Sequence, residues 1–155
     1  MFATVKIEEA IQQKKFRHEY EKLAVNLVYT ENYLGNHFAN LLKPHGLTQP
    51  QFNLLRILRG QHPSAASVNL LIKRMIDRSS NASRIVDKLE AKDLVTRKAC
   101  PQDRRKMDVK ITNAGLRLLK KLDKELEQYF EVFQHLTEKE ARTLNNLLDK
   151  LRTSE

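Results

Sequence analysis

The stretch IDRSSNASRIVDKLEAKDLVTRKACPQDRRKMDVKIT, residues 76–112, decides how the rest of the chain is read. It begins as a short helix. Ala82, Ile85, Val86 and Leu89 fall at i, i+3, i+4 and i+7, so one face is apolar and docks on a core. With about 3.6 residues per turn, Ser80, Asn81, Ser83, Arg84, Asp87 and Lys88 point elsewhere. Short hydrogen-bonding side chains mixed with Arg and Lys make a surface that can enter a major groove and bond to base edges. Two short runs follow, residues 94–100 and 107–112, on either side of PQDRRK. Val109 and Ile111 alternate with Lys110, the period-two pattern of a half-buried strand. A tip holding a Pro and the consecutive basic residues Arg104, Arg105 and Lys106 is poor core and a good phosphate ligand.

Taken singly, a polar-faced helix is an ordinary solvated face and a basic hairpin tip an ordinary soluble turn. Placed side by side, and preceded by two more short helices, they have the layout of a winged helix–turn–helix.

Composition agrees. The chain has 155 residues, enough for a genuine core, with only four Gly and four Pro, which favours a mainly α fold. The net charge is +9. Residues 78–110 hold ten basic and five acidic side chains, so about half of the excess sits on the opening stretch. A local positive field of this kind attracts polyanions. The single cysteine, Cys100, allows no intrachain disulfide and no CxxC metal site. The first residues lack the apolar core of a signal peptide, and no run approaches the ~20 apolar residues a membrane span needs. A soluble, cytoplasmic protein with no membrane association is expected.

Taken in order, residues 1–15 predict a loose arm or an early helix turn. Residues 16–42 predict a long helix, with Tyr20, Leu23, Ala24, Leu27, Leu34, Phe38, Leu41 and Leu42 in one stripe and Pro44 and Gly46 ending it. A helix of ~40 Å exceeds what a small module needs, so it is expected to pack on a second subunit. Thr48 and Gln51 form a capping box that opens a helix over residues 49–59. Phe52, Leu54, Leu55, Ile57 and Leu58 make that helix apolar nearly all round, the pattern of central burial. Residues 60–64 read as a loop. Ser67 can cap a helix over residues 68–75 that presents Lys73 and Arg74, and this helix pairs with the one after it. Thr112 or Asn113 caps a long helix over residues 114–135. Thr137 and Glu140 form a second capping box, opening a last helix to about residue 152. Its apolar seam is Ala141, Leu144, Leu147, Leu148 and Leu151.

Three pieces of this pattern resemble the MarR family of bacterial transcription regulators: LTQPQFNLLRIL at residues 47–58, DRSSNASRIVDKLEAKDLV at 77–95, and DRRKMDVKITNAG at 103–115. The third is similar to that family's D-x-R wing signature with its following strand and Thr-x-x-Gly helix start. The resemblance covers nearly the whole chain. It implies one domain over residues 1–155, with a winged helix–turn–helix module at 48–112 and dimerisation helices at 16–42 and 114–152. It implies an obligate homodimer on a pseudo-palindromic operator, repressing or sometimes activating nearby genes. By position, Arg105 matches the wing arginine that enters the minor groove, and Asp103 the carboxylate that holds it. Residues 79–84 match the base-reading turns. Two departures stand out. Asp93 and Met75 occupy places where Gly is common, and a left-handed Asp93 would cost about 1 kcal/mol relative to Gly.

The expected DNA-contacting set is Arg78, Ser79, Ser80, Asn81, Ser83, Arg84 and Lys88 on the helix side, and Asp103, Arg104, Arg105 and Lys106 on the wing. Asn suits adenine and Arg suits guanine, but spacing does not say which residue reads which base. Asn26, Thr30, Tyr33 and His37 run along one flank of the first long helix. The resemblance implies a small-molecule effector pocket between this helix and the module; the plainer reading of the four is a polar boundary at a dimer interface. Glu31 interrupts the apolar stripe, with Arg56 a candidate partner. Cys100 stands by basic neighbours, but peroxide-sensing members of the family carry their cysteine near the start of the first long helix, so redox sensing is not its expected role. The five His show no metal-ligand spacing, and neither a metal nor another cofactor is expected. No G-x-S-x-G, P-loop, HExxH or dinucleotide fingerprint is present, so an enzyme is not expected. The competing function is a winged-helix adaptor that binds protein without sequence-specific DNA binding. A neutral or acidic outer helix face would have favoured it, and the charges here oppose it.

Overall fold

The structure, a computed structural model, describes residues 5–100 and 107–153. In chain order the described helices are α1 (Ile7–Ala10), α2 (Glu19–Leu42), α3 (Gln49–Gln61), α4 (Val68–Arg74), α5 (Ala82–Glu90), α6 (Asn113–Phe130) and α7 (Glu138–Leu151). The strands are β1 (Ala66–Ser67), β2 (Val95–Ala99) and β3 (Met107–Ile111). One-turn 3₁₀ segments at Lys43–His45 and Glu131–Phe133 follow α2 and α6. The result is mainly helical with a small antiparallel sheet in the order β1-β3-β2, a winged helix–turn–helix.

At the centre lies α3. Thr48 and Gln51 close the expected capping box: Thr48 N donates to Gln51 Oε1 at 3.0 Å and Gln51 N donates to Thr48 Oγ1 at 3.5 Å. The box fixes the rotation of the helix, so that Phe52, Leu54, Leu55 and Leu58 are buried. They pack with Leu42 of α2, Leu71 of α4, Val86 and Leu89 of α5, Val109 of β3 and Leu119 and Leu122 of α6. Two polar struts complete the joint. Gln49 Nε2 donates to Gly35 O of α2 at 2.8 Å. Arg59 of α3 grips Asp123 of α6 through both carboxylate oxygens, at 2.6 and 3.2 Å.

Several boundaries differ from the sequence expectation, each for a local reason. α2 starts at Glu19 rather than residue 16, because His18 is extended and its ring accepts from Glu21 N. α3 runs through Gly60 to Gln61, since one Gly costs a helix only about 1 kcal/mol and burial of Leu58 outweighs it. α5 starts at Ala82, leaving Ser80 and Asn81 outside the helix. α6 ends at Phe130 rather than residue 135, tightening into 3₁₀ geometry. β1 was not expected: two residues carry no alternation signal, yet Ala66 pairs with Val109 and Ser67 with Asp108.

Asp93 is left-handed, with φ of +55°, the conformation for which the resemblance led to an expectation of Gly. Met75, with φ of −65°, is ordinary extended backbone that needs no glycine. Thr112 caps α6 by accepting from Gly115 N at 3.0 Å, and its hydroxyl donates to Asp93 O at 2.7 Å. Gly115 itself is sterically required. A Cβ there would stand 2.5 Å from Leu94 O and 2.7 Å from Ile111 Cγ1.

The two ends of the chain are less enclosed. Only the C-terminal part of α2 joins the core; Tyr20, Leu23, Val28, Tyr29 and Tyr33 are exposed. α1 docks back on α2 through a Glu8–Lys22 ion pair at 2.6 Å. α7 buries none of its residues, and Leu144, Leu147 and Leu151 are 46%, 58% and 59% exposed. Gly115→Ala should destabilise the fold by about 1–3 kcal/mol, the usual cost of overpacking. Urea unfolding followed by circular dichroism checks it; an unchanged midpoint would contradict the close approach described here.

Candidate nucleic-acid interface

α5 buries Ala82, Val86 and Leu89 and leaves Ser83, Arg84 and Lys88 exposed, the division its periodicity demands. Arg78, Ser79 and Asn81 are exposed beside them and Ser80 is half-buried. Ser80 and Asn81 were expected on the helical face. They sit instead in its entry turn, because Ser and Asn side chains compete for backbone donors and favour caps. Asn81 is the N-cap, its Oδ1 accepting from Arg84 N at 3.0 Å. A shallow groove of about 350 Å³ runs between this turn and the start of α3, lined by Ser80, Asn81, Arg84 and Lys88 on one side and Thr48 and Pro50 on the other.

The turn is built on Asp77, which the sequence expectation passed over. Its Oδ1 accepts from Ser79 N at 2.9 Å and Ser79 Oγ at 2.6 Å; its Oδ2 accepts from Ser80 Oγ at 2.7 Å. The two serine hydroxyls, followed by the backbone N–H groups, hold this carboxyl below the usual carboxylate range. Its contribution to turn order is therefore present at neutral pH and lost as pH falls through that lowered value. One residue earlier, Ile76 N donates to Asn53 Oδ1 at 3.0 Å, pinning the turn to α3. The spacing D-x-S-S is an Asx-turn signal and was legible; the Asn53 bond, 23 residues away in sequence, was not.

Arg97, counted in sequence as part of the positive patch, is an internal clamp. It pairs with Asp87 at 2.7 Å and Glu90 at 3.4 Å, and its backbone N–H donates to Glu90 Oε1 at 3.1 Å. These contacts tie β2 to α5, set the angle between helix and wing, and neutralise the acid on the helix face. Lys92 is likewise engaged, with Gly46 O. Asp103, Arg104, Arg105 and Lys106 lie outside the described residues. The strands on either side of them, β2 and β3, pair in register from Val95–Ile111 to Ala99–Met107.

The four residues of the α2 flank do not converge. Thr30 Oγ1 reaches Asn26 Oδ1 at 3.5 Å, and both are exposed. Tyr33 and His37 stack edge-on at 4.6 Å and line a groove of about 590 Å³ against the C-terminal end of α6. A larger cavity, about 840 Å³, lies between α2, α3 and residues 75–77. Its walls are other residues, among them Glu31, Phe38, Phe52, Arg56, Met75 and Asp77. Glu31 and Arg56 share it without an ion pair; Arg56 lies over the Phe52 ring at 5.8 Å. Among the described residues no cluster of His, Cys, Asp and Glu is arranged to hold a metal. No described helix is long and apolar enough to cross a membrane.

Fold and surface together define a winged helix–turn–helix protein of the transcription-regulator class. Residues 47–107 match the family described as MarR, and the chain belongs to the MarR family. It is 32% identical over 106 residues to the uncharacterized HTH-type transcriptional regulator YpoP of Bacillus subtilis, covering 68% of this chain and 74% of that one. To the HTH-type transcriptional regulator MhqR of the same organism it is 28% identical over 131 residues, 84% of this chain and 89% of that one. Among solved structures it resembles Bordetella bronchiseptica BpsR, described for the regulation of its DNA binding by 6-hydroxynicotinic acid. The TM-score is 0.78 at 26% identity, over 91% of this chain and 100% of that one. The two Bacillus subtilis relatives are both named as transcriptional regulators.

The cap role of Asn81 separates stability from recognition. Asn81→Ala should cost about 1 kcal/mol of folding stability, and Asn81→Asp, which keeps the capping oxygen, should recover most of it. Thermal unfolding of the two variants checks this; equal loss in both would remove Asn81 from the cap.

Proposed function

We propose that the chain is a sequence-specific DNA-binding transcriptional regulator that acts as a homodimer on a pseudo-palindromic operator and represses by occupying it. What supports this most is the exposed polar and cationic face of α5, held rigidly against α3 and beside the wing. In this reading residues 1–155 work as one domain. The module at 48–112 reads DNA, and the arms at 16–42 and 114–152 join two copies. Arg78, Ser79, Ser80, Asn81, Ser83, Arg84 and Lys88 face the major groove. Asp103, Arg104, Arg105 and Lys106 serve the backbone and minor groove, where the base code is degenerate. The exposed apolar side chains of α2 and α7 support the dimer, since contiguous apolar surface of this kind marks an interaction site. A small-molecule effector fits best in the cavity bounded by α2, α3 and residues 75–77, whose wall is continuous with the entry turn of α5. Tyr33 and His37 line the separate groove by α6.

Two experiments test the parts. Leu144→Lys combined with Leu148→Lys should yield monomers or insoluble chains, because two lysines on the α7 seam cannot be buried unpaired. Sedimentation of an intact dimer would sink the dimer proposal. For DNA, Arg105→Ala should weaken operator and random duplex alike and lower the salt slope by about one unit per lost phosphate contact in each monomer. Arg84→Ala should instead narrow the gap between operator and random DNA, by about 1–3 kcal/mol per half-site for a bidentate base contact. Titrations of both variants at several salt concentrations read the two effects; an Arg105→Ala protein with unchanged binding and slope on random DNA would reverse the roles of wing and helix.

A further inference from the structure

We propose that Asp77 is a positioning residue for base reading: by taking the only hydroxyl proton of both Ser79 and Ser80, it makes these two serines of the α5 entry turn hydrogen-bond acceptors that select adenine or cytosine, the bases with an amino group in the major groove. This rests on the DNA-reading function proposed above. A serine hydroxyl has one proton to donate and two lone pairs to accept with. An ionised carboxylate has no proton, so in the contacts at 2.6 and 2.7 Å both serines must be the donors. Each is left with acceptor capacity alone. Phosphate oxygens are acceptors too, and the carboxylate charge also repels them, so the turn disfavours the DNA backbone. The donors that the major groove offers are the N4 amino group of cytosine and the N6 amino group of adenine. Ser80 lies in the groove it shares with Arg84 and Lys88, where a base edge would enter.

Asn81 adds a donor. Its carbonyl oxygen caps the helix by accepting from Arg84 N, and its amide NH₂ is the donor it can offer an outside partner. The surface therefore alternates: acceptors at Ser79 and Ser80, donors at Asn81, Arg84 and Lys88. The donors suit guanine, thymine or phosphate, and the acceptors suit adenine or cytosine.

Asp77→Asn reverses one sign without removing a side chain. Ser79 N and Ser79 Oγ both donate to Oδ1, so the carbonyl of the introduced amide is held on that side. Its NH₂ then faces Ser80 Oγ and donates to it, and the Ser80 proton turns outward. The test is selection from a duplex library with randomised half-sites, by wild type, Asp77→Asn and Ser80→Ala, with sequencing of the bound fraction. Wild type should prefer adenine or cytosine by about tenfold at one position of each half-site, within the range of a base contact. Ser80→Ala should flatten that position alone and leave the salt slope unchanged. Asp77→Asn should move the same position to guanine or thymine. Identical selections by wild type and Asp77→Asn, or a preference retained in Ser80→Ala, would overturn the inference. Should Asp77→Asn fail to fold, Ser80→Ala decides alone. A wild type that selects no sequence at all would remove the DNA-reading function itself, a result distinct from a selective wild type with an indifferent Ser80.

Discussion

Burial of α3 is the constraint on which the other elements depend. Leu54, Leu55 and Leu58 are almost wholly excluded from solvent within one core cluster. Fully burying a leucine contributes about 1.5–3 kcal/mol, so losing any one covering element would expose several such terms together. α2, α4, α5, α6 and β3 all pack against α3. α5 thus inherits its position from the core. Its buried face, Ala82, Val86 and Leu89, is fixed by α3, and the opposite face has no choice of direction.

Around that core, polar contacts set angles rather than bulk stability. The Arg59–Asp123 pair is part-exposed, and such pairs contribute little net energy, but its two-point geometry orients α6 on α3. Arg97 does the same between wing and helix, and Asn53 between α3 and the turn that opens α5. Reading DNA needs side chains placed to within a hydrogen bond, and these struts run from the core to the groups that would do the reading. The large cavity by residues 75–77 touches the last of them, which is why a ligand there could disturb α5 without meeting DNA.

Much of this was legible in the chain. The 3.6-residue periodicity of residues 82–89 and the alternation at 109–111 define α5 and a strand of the wing from the sequence alone. Both capping boxes formed where Thr48 and Thr137 placed them. What escaped was of two kinds. Short or tight features carry too little pattern: the two residues of β1, the 3₁₀ end of α6, and the shift of Ser80 and Asn81 into a cap. Long-range polar contacts carry none: nothing local in Arg97 announces Asp87 and Glu90, and nothing in Asn53 announces Ile76. The α2 flank shows the same limit. Asn26, Thr30, Tyr33 and His37 share a helical side, but which cavity each meets depends on α3 and α6. The resemblance marked Gly115 only as part of a Thr-x-x-Gly helix start; its steric need, set by the carbonyl of Leu94, is visible only in three dimensions.

The exposed seams of α2 and α7 and the reading face of α5 make a joint demand. If two copies join through the seams, their α5 helices must stand about one DNA turn apart, roughly 34 Å, on one face of the duplex. Inserting half a turn of DNA between the half-sites of a selected operator tests this most directly. A rigid dimer should lose its preference for that operator over random DNA when about 5 base pairs are inserted, because the second half-site rotates to the far face. Unchanged affinity for the lengthened operator, with protection of a single half-site, would contradict the paired reading.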